Sequence, residues 1–500
     1  MSERSAVIVG AGMAGLSAGC YARMNGYKAT ILEMQSIPGG LCTAWTRKGY
    51  TFDISMHMLT GSKSGPFHEM WQELGVMENR RFHYHDEMCR VESGEKTLSI
   101  STDRQRLEEQ MLALSPADAK LTREFVRLIC GPDMMGAASL TPPELAGPLA
   151  GLKMMFAILP LLGTFRRYGK QTIQEFAGRF HDPFLREAVR MAIDGPGWPM
   201  LRFPMVGLAG FLKSSVSEAG CPVGGSQQVA QSIAERFKKL GGELRLKVRV
   251  ADLVVENGRA VGVKPADGSE VRADEVVWAA DGHSLIFDIL GGRYVDDRIR
   301  RMYEEWTPVR PVVHVCLGVN RDMSKEPARL SLELARPITV CGEERKWLSI
   351  IHHSFDPTMA PAGKAAVEVW YPCRYDYWQE LAKDRPRYDA EKQRITALTI
   401  AELEKRWPGF AQQVEVTDVA TPPTYVRYTG NWQASPDGWY ITPDNVRVNP
   451  LRRLPGLDGL LMAGQWTAPF TGTVLAALTG RQVIQLLCKR DRKRFSAGRP

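Results

Sequence analysis

The sequence predicts an α/β protein in which a parallel sheet begins at the start of the chain, is completed near its end, and carries an inserted α+β domain. Three observations predict this. Ala6 to Glu33 reads as strand, glycine turn, helix and strand. Short apolar runs at Val276–Ala280 and Leu460–Ala463 then repeat the pattern of strands buried on both faces. Between the first block and these runs, up to Gly220, the chain is helix-rich and methionine-rich, with breaks at Gly131-Pro132, Gly147-Pro148 and Gly195-Pro196.

Each part of the first block answers a need of dinucleotide binding. Ala6-Val7-Ile8-Val9 is the buried strand, and Gly10-Ala11-Gly12-Met13-Ala14-Gly15 follows at once. Gly10 permits the tight turn, Gly12 lets backbone N–H groups approach a pyrophosphate, and Gly15 lets the helix pack on the strand. The helix Leu16–Met24 directs its positive end at the phosphates, and Asn25-Gly26 stops it. Lys28 to Leu32 is the second strand. It closes on Glu33, where a carboxylate can accept from an adenosine ribose hydroxyl. An acid there, rather than a basic residue, favours NAD or FAD over NADP.

Past that acid comes Ile37-Pro38-Gly39-Gly40-Leu41, a second side-chain-free backbone near the same pyrophosphate, which an NAD dehydrogenase does not need. At these residues the chain resembles the FAD-dependent oxidoreductases of the glutathione-reductase-like superfamily. With Gly49-Tyr50-Thr51-Phe52-Asp53 following, it is similar to the branch holding phytoene desaturases, carotenoid isomerases and retinol saturases. The resemblance implies a discontinuous FAD-binding Rossmann domain (1–100, 215–291 and 427–488), a substrate domain (101–214 and 292–426) and a basic tail (489–500).

The later blocks are placed by that resemblance. Val271–Asp281 looks like the second FAD block, which puts the backbone at Val250 against the adenine and Ala280 at the cofactor. Gly464-Gln465 ends the last strand, and Gly472-Thr473-Val474 opens a helix whose N-terminus faces the flavin pyrimidine. The family's usual strand-end aspartate is glutamine here. The implied cofactor set is Gly10, Gly12, Met13, Ala14, Gly15, Glu33, Met34, Gly39, Gly40, Leu41, Val250, Ala280, Gly464, Gln465, Gly472, Thr473 and Val474.

The remaining elements follow from pattern. Phe67–Leu74 and Leu107–Cys130 have helical spacing, and Glu87–Ile100 reads as short strands. Gln227–Leu240 is a helix stopped by Gly241-Gly242, and Glu243–Val255 is one alternating strand that turns at Asn257-Gly258. Val312–Val319, Trp347–His352 and Ala366–Tyr371 are strands of a cavity wall, and Asp389–Trp407 is an amphipathic helix.

Five hundred residues, 44% hydrophobic and 24% charged, suit an ordinary globular protein of two or more domains. The net charge of +8 is modest, and without a binding motif it does not indicate nucleic acid. Nine scattered cysteines without a CxxC indicate reduced thiols and a cytoplasmic setting, and Cys42 reads as a buried ordinary thiol. Met1–Ser5 leaves no room for a signal peptide, and no run is long enough to span a membrane. The tail from Lys489 to Arg499 reads either as a solvated end or as an anchor to anionic lipid. Leu152–Phe165, followed by Arg166-Arg167, reads either as a buried helix or as an in-plane segment on the inner face of a membrane. The pairs Met134-Met135 and Met154-Met155 are core filler or the lining of an adaptable tunnel. His352-His353 lacks companions at ligand spacing and reads as structural, so no metal is expected.

The expected chemistry is FAD-dependent desaturation, saturation or cis–trans isomerisation at carbon–carbon bonds of an apolar polyene, isoprenoid or acyl lipid. His57 is the candidate acid or base, because its segment runs from the flavin floor into the pocket. Met56, Tyr425, Trp439 and Trp466 are candidate pocket residues. Two alternatives are a flavin amine oxidase on the same scaffold and a prenyl-binding escort protein without flavin chemistry. The complete set of phosphate-site glycines argues against the escort protein.

Overall fold

In the computed structural model, residues 3–55, 58–101, 103–130, 139–147, 159, 162–194, 201–207, 218–446, 450–469 and 472–499 are described. A five-stranded parallel sheet runs in the order Leu460–Met462, Glu275–Trp278, β1 (Ser5–Val9), β2 (Lys28–Glu33) and Glu243–Leu246. Four of the five residues of β1 are buried, as a central parallel strand covered on both faces requires. Helix α1 (Met13–Met24), the helix Gly225–Lys239 and the last helix, Thr473–Arg490, share one core with this sheet. Small residues set how close they come. A Cβ on Gly480 would strike the Ala14 carbonyl, and Ser17 Oγ donates to the Ala477 carbonyl at 2.7 Å. A three-stranded antiparallel sheet, Val250–Glu256, Arg259–Pro265 and Val271–Arg272, belongs to a second core with Val7, Val9 and Leu460. Its Asn257-Gly258 turn has φ of 49° and 73°, the twist a two-residue hairpin loop needs.

The second region is a seven-stranded sheet in the order Val414–Ala420, Val312–Val319, Ala365–Pro372, Glu343–His352, Arg329–Val340, Glu87–Ser93 and Lys96–Ser101. Helix Arg385–Arg406 shares a core with it through Tyr388, Ile395 and Leu403. Helices Arg104–Leu114, Ala119–Ile129 and Pro183–Asp194 pack on the Glu87–Ser101 hairpin.

Three expectations are corrected. The boundary near residue 100 falls earlier, because the Glu87–Ser101 hairpin joins the seven-stranded sheet through parallel pairing of Arg90 with Leu330. Glu243–Val255 is two strands in two sheets, parted where Lys247 takes a φ of 60°. The basic tail is tethered as well as solvated: most of its side chains are exposed, but Phe495 and Ala497 pack on the core that contains helix α1. Phe495 lies 5.7 Å from the Tyr21 ring, Arg481 stacks over Phe495 at 4.8 Å, and Arg490 pairs with buried Glu275 at 2.8 Å. The last helix accordingly runs to Arg490. Gly131-Pro132, Pro148, Gly195-Pro196, Met134-Met135 and Met154-Met155 lie outside the described residues, as does most of Leu152–Leu161. Arg329–Val340, a long strand of the cavity sheet, was not expected from the sequence. Its core-facing and solvent-facing positions do not alternate cleanly, because register shifts between Glu333 and Ile338.

Candidate functional site: a glycine-lined dinucleotide cleft

β1 delivers the chain to Gly10, whose φ of 95° makes the turn that starts α1. A Cβ on Gly15 would run into the Gly10 carbonyl, so this glycine holds helix and turn together and faces the packing, away from the cleft. The second glycine pair is tied to the first. Gly39 N–H donates to the Ala11 carbonyl at 2.8 Å, and a Cβ on Gly40 would lie 3.3 Å from Gly12 Cα. A Cβ on Gly12 or on Gly472 would meet no protein atom within 4 Å. Both glycines open onto one cleft of about 480 Å³.

The cleft is lined by Gly10, Gly12, Met13, Ala14, Glu33, Met34, Gly39, Gly40, Leu41, Val250, Ala280, Gly464, Gln465, Gly472 and Thr473. Segments separated by more than four hundred positions thus meet at one surface. Val474 does not line it and is instead buried in the core shared with α1. Two helices begin here, at Gly12 and Gly472. Neither has a side-chain cap or an acidic residue in its first turn, so their N–H groups are left for an anion. Glu33 is buried at the end of β2, accepting from Ala11 N–H at 2.7 Å and Gln35 N–H at 2.8 Å. Burial raises its carboxyl above the ordinary range, and these backbone donors pull it back.

Cys42, Ser55, Asp437 and Trp466 also line the cleft. Cys42 is free and buried, 3.7 Å from Ser55 Oγ and 3.8 Å from Thr473 Oγ1, and burial pushes its thiol up to about 11. That makes it neutral, not a nucleophile. Trp466 is 2% exposed, and its indole N–H has no partner among the described residues. Trp439 stands behind it, ring centroids 5.3 Å apart, within a group containing Tyr303, Trp306 and Trp432. Trp439 therefore supports the cleft wall without lining it. Tyr425 is buried in an apolar cluster with Val312, Ile351, Trp370, Ala420 and Ala434, against which Leu41, Trp45 and Ile54 pack. Met56 and His57 lie outside the described residues.

Sequence reading missed Asp281 and Asp437. Asp281 lines the cleft, accepting from Ser284 N–H at 2.7 Å and Trp432 N–H at 2.9 Å, and so joins the two later blocks. Asp437 sits in Pro436-Asp437-Gly438, which from sequence is simply a turn. His352 Nε2 lies 3.2 Å from the Glu326 carbonyl, while His353 approaches Glu368, so the pair points to different partners.

The donor set fits FAD. It offers a carboxylate for the ribose, glycine backbone and the open start of α1 for the pyrophosphate, and for the flavin an end bordered by the open start of the last helix, Trp466 and small residues. Comparison with known proteins agrees. The model of the flavin containing amine oxidoreductase family matches residues 13–483. The chloroplastic prolycopene isomerase of Daucus carota is 24% identical over 511 residues, covering 96% of this chain and 79% of that protein. The neurosporene-forming phytoene desaturase of Rhodobacter capsulatus is 25% identical over 527 residues, covering 96% and 93%. An oxidoreductase from Methanosarcina mazei shares the fold with a TM-score of 0.65 at 16% identity, covering 96% of this chain and all of that one. A redesigned putrescine oxidase does so at 0.64 and 15%, covering 97% and 99%. With its glycine turn, acid-ended second strand and returning C-terminal helix assembled into one cleft, the chain belongs to the flavin-containing amine oxidoreductase family and is an FAD-dependent oxidoreductase.

Proposed function

We propose that this oxidoreductase desaturates, saturates or isomerises carbon–carbon bonds of an apolar polyene or isoprenoid substrate. The observation that carries the reading is that Leu41 of the cleft packs, with Trp45 and Ile54, on the apolar cluster of Val312, Ile351, Trp370 and Tyr425, so that the cleft adjoins apolar structure on the side of the seven-stranded sheet. The Daucus and Rhodobacter relatives, named for prolycopene and phytoene, support the substrate class.

In this reading Glu33 binds the ribose, the Gly12–Gly40 backbone and the α1 N-terminus hold the pyrophosphate, and Val250 covers the adenine. Gln465, Gly472 and Thr473 border the flavin end. Bound FAD supplies hydride exchange with a carbon centre. The protein's part is to align an apolar chain against that end and exclude water. Tyr425 lies in the adjoining apolar cluster and not on the cleft lining, and burial raises its phenol well above the ordinary value. His57 is the proposed proton donor or acceptor. His57→Ala is expected to retain FAD while turnover falls about a hundredfold or more; wild-type turnover would remove it from this role.

The test is incubation of the yellow holoenzyme with long polyenes and with amines, following products by mass spectrometry. Conversion of polyenes supports the reading. Exclusive oxidation of amines would replace it with amine oxidation, a reading favoured by the tryptophan wall at Trp466. Among the described residues no helix is long and apolar enough to cross a membrane. Peripheral contact is proposed through Leu159 and Leu162, 47% and 52% exposed beside Arg166 and Arg167, which would bring lipid-dissolved substrate to the protein. Flotation with anionic vesicles should capture the wild type and lose Leu162→Glu; equal capture of both would exclude this patch.

A further inference from the structure

The flavin end of the cleft contains a carboxylate that no other contact uses. Ser435–Gly438 is locked against the last strand: Gln465 Nε2 donates to the Ser435 carbonyl at 3.1 Å, and Ser435 Oγ donates to the Gly438 carbonyl at 2.8 Å. Gly438 has a φ of 69°, and a Cβ there would collide with the Gln465 carbonyl, so only glycine lets the loop sit this close. Asp437 is thereby placed on the cleft wall with Cys42, Ser55, Gln465 and Thr473. The two buried cleft carboxylates are engaged, Glu33 by Ala11 and Gln35 and Asp281 by Ser284 and Trp432. Asp437 has no hydrogen-bond or ion-pair partner among the described residues.

We propose that Asp437 accepts hydrogen bonds from the ribityl hydroxyls of FAD and is a cofactor-positioning residue. Three points carry this, and it rests on the cleft being the FAD site. The glycine turn fixes the pyrophosphate, and Glu33 and Val250 take the adenosine half. The ribityl chain must therefore cross the end that Asp437 borders, and its hydroxyls are donors that need acceptors there. Gln465, the residue at the strand end beside it, donates one of its two amide N–H groups to the loop that carries Asp437 and so fixes that loop at the cleft. Finally, burial pushes the Asp437 carboxyl up to about 6, a cost that hydrogen bonds from a bound polyol would offset.

The test compares two probes on the full chain stripped of flavin. FAD contains the ribityl chain; ADP supplies only the adenosine and phosphates. Asp437→Leu should weaken FAD binding by about tenfold or more, the loss of a hydrogen bond to a charged acceptor. ADP affinity should stay within about twofold, and Asp437→Asn, which keeps an acceptor oxygen, should fall between. Equal weakening of both probes would mean that the substitution acts through the fold, and unchanged FAD affinity would mean that Asp437 does not touch the cofactor; either overturns the proposal. Failure of the wild type to bind either probe would instead overturn the cleft assignment beneath it.

Discussion

The phosphate end of the cleft and its border with the seven-stranded sheet are both buried, and they are built in opposite ways. The phosphate end is made of backbone: glycines, the start of α1 and a single acid whose oxygens take main-chain N–H groups. The border is made of side chains. Glu368, on strand Ala365–Pro372, is 1% exposed and stands 3.0 Å from His314 Nε2 and 3.4 Å from His353 Nε2. Its Oε1 accepts from Asp53 N–H at 3.1 Å. Asp53 in turn accepts from Ser226 Oγ at 2.6 Å and Ser55 N–H at 3.1 Å. This chain of contacts clamps the strand Tyr50–Asp53 and the helix Gly225–Lys239 onto the second sheet. A backbone site tolerates loss of its ligand, whereas a side-chain clamp fails when one charge is removed.

The sharpest way to separate the two regions is at the glycines. Gly12→Val should fold as the wild type but abolish FAD binding, because a Cβ there meets no protein atom within 4 Å and the side chain extends into the cleft that Gly12 lines. A fully flavin-loaded, yellow Gly12→Val protein would break the assignment. At the border, Glu368→Gln should cost about 3–5 kcal/mol in denaturant unfolding, the loss expected when one member of a buried charge pair is removed.

The clamp also makes a pH prediction. Its ion pairs hold the Glu368 carboxyl far below the ordinary carboxylate range, so its contribution is present near neutrality and is lost in strong acid. His353 moves the other way: burial alone would lower it, but Glu368 outweighs that and raises it above 6.5. Its contribution is full below pH 6.5 and disappears as pH rises through the raised value. Wild-type stability should therefore fall on both sides of neutrality. Glu368→Gln should flatten both limbs, and an unchanged profile would show that the clamp is not charged. The smallest effect is expected outside both regions. Phe495→Ala removes the stacking on Tyr21 and Arg481 and should cost about 1–2 kcal/mol without changing flavin content.

These differences follow what was legible beforehand. The glycine turn, Glu33 and the two helix starts were readable because each signal lies within a few residues and reports a backbone requirement. Asp437 was not, since Pro-Asp-Gly looks like any surface turn; what distinguishes it is the Gln465 contact across the fold. Glu368 looked like a polar residue in a strand, and His353 like half of a structural pair whose partners the sequence does not name, until the sheet brought them beside Asp53. The tether of the tail was hidden for the same reason, as its basic run gives no sign that Phe495 meets the Tyr21 ring and that Lys493 lies 4.2 Å over the Tyr27 ring.

By itself, the order of residues determined the parallel sheet, the phosphate-binding turn and the class of cofactor. Those depend on φ preferences, missing side chains and strand periodicity, which are local. Only the tertiary structure decided which carboxylates stay free, which are clamped, and which tryptophan faces the cleft. Those outcomes depend on partners far away in the chain, and a buried charge is defined by its neighbours rather than by its own identity.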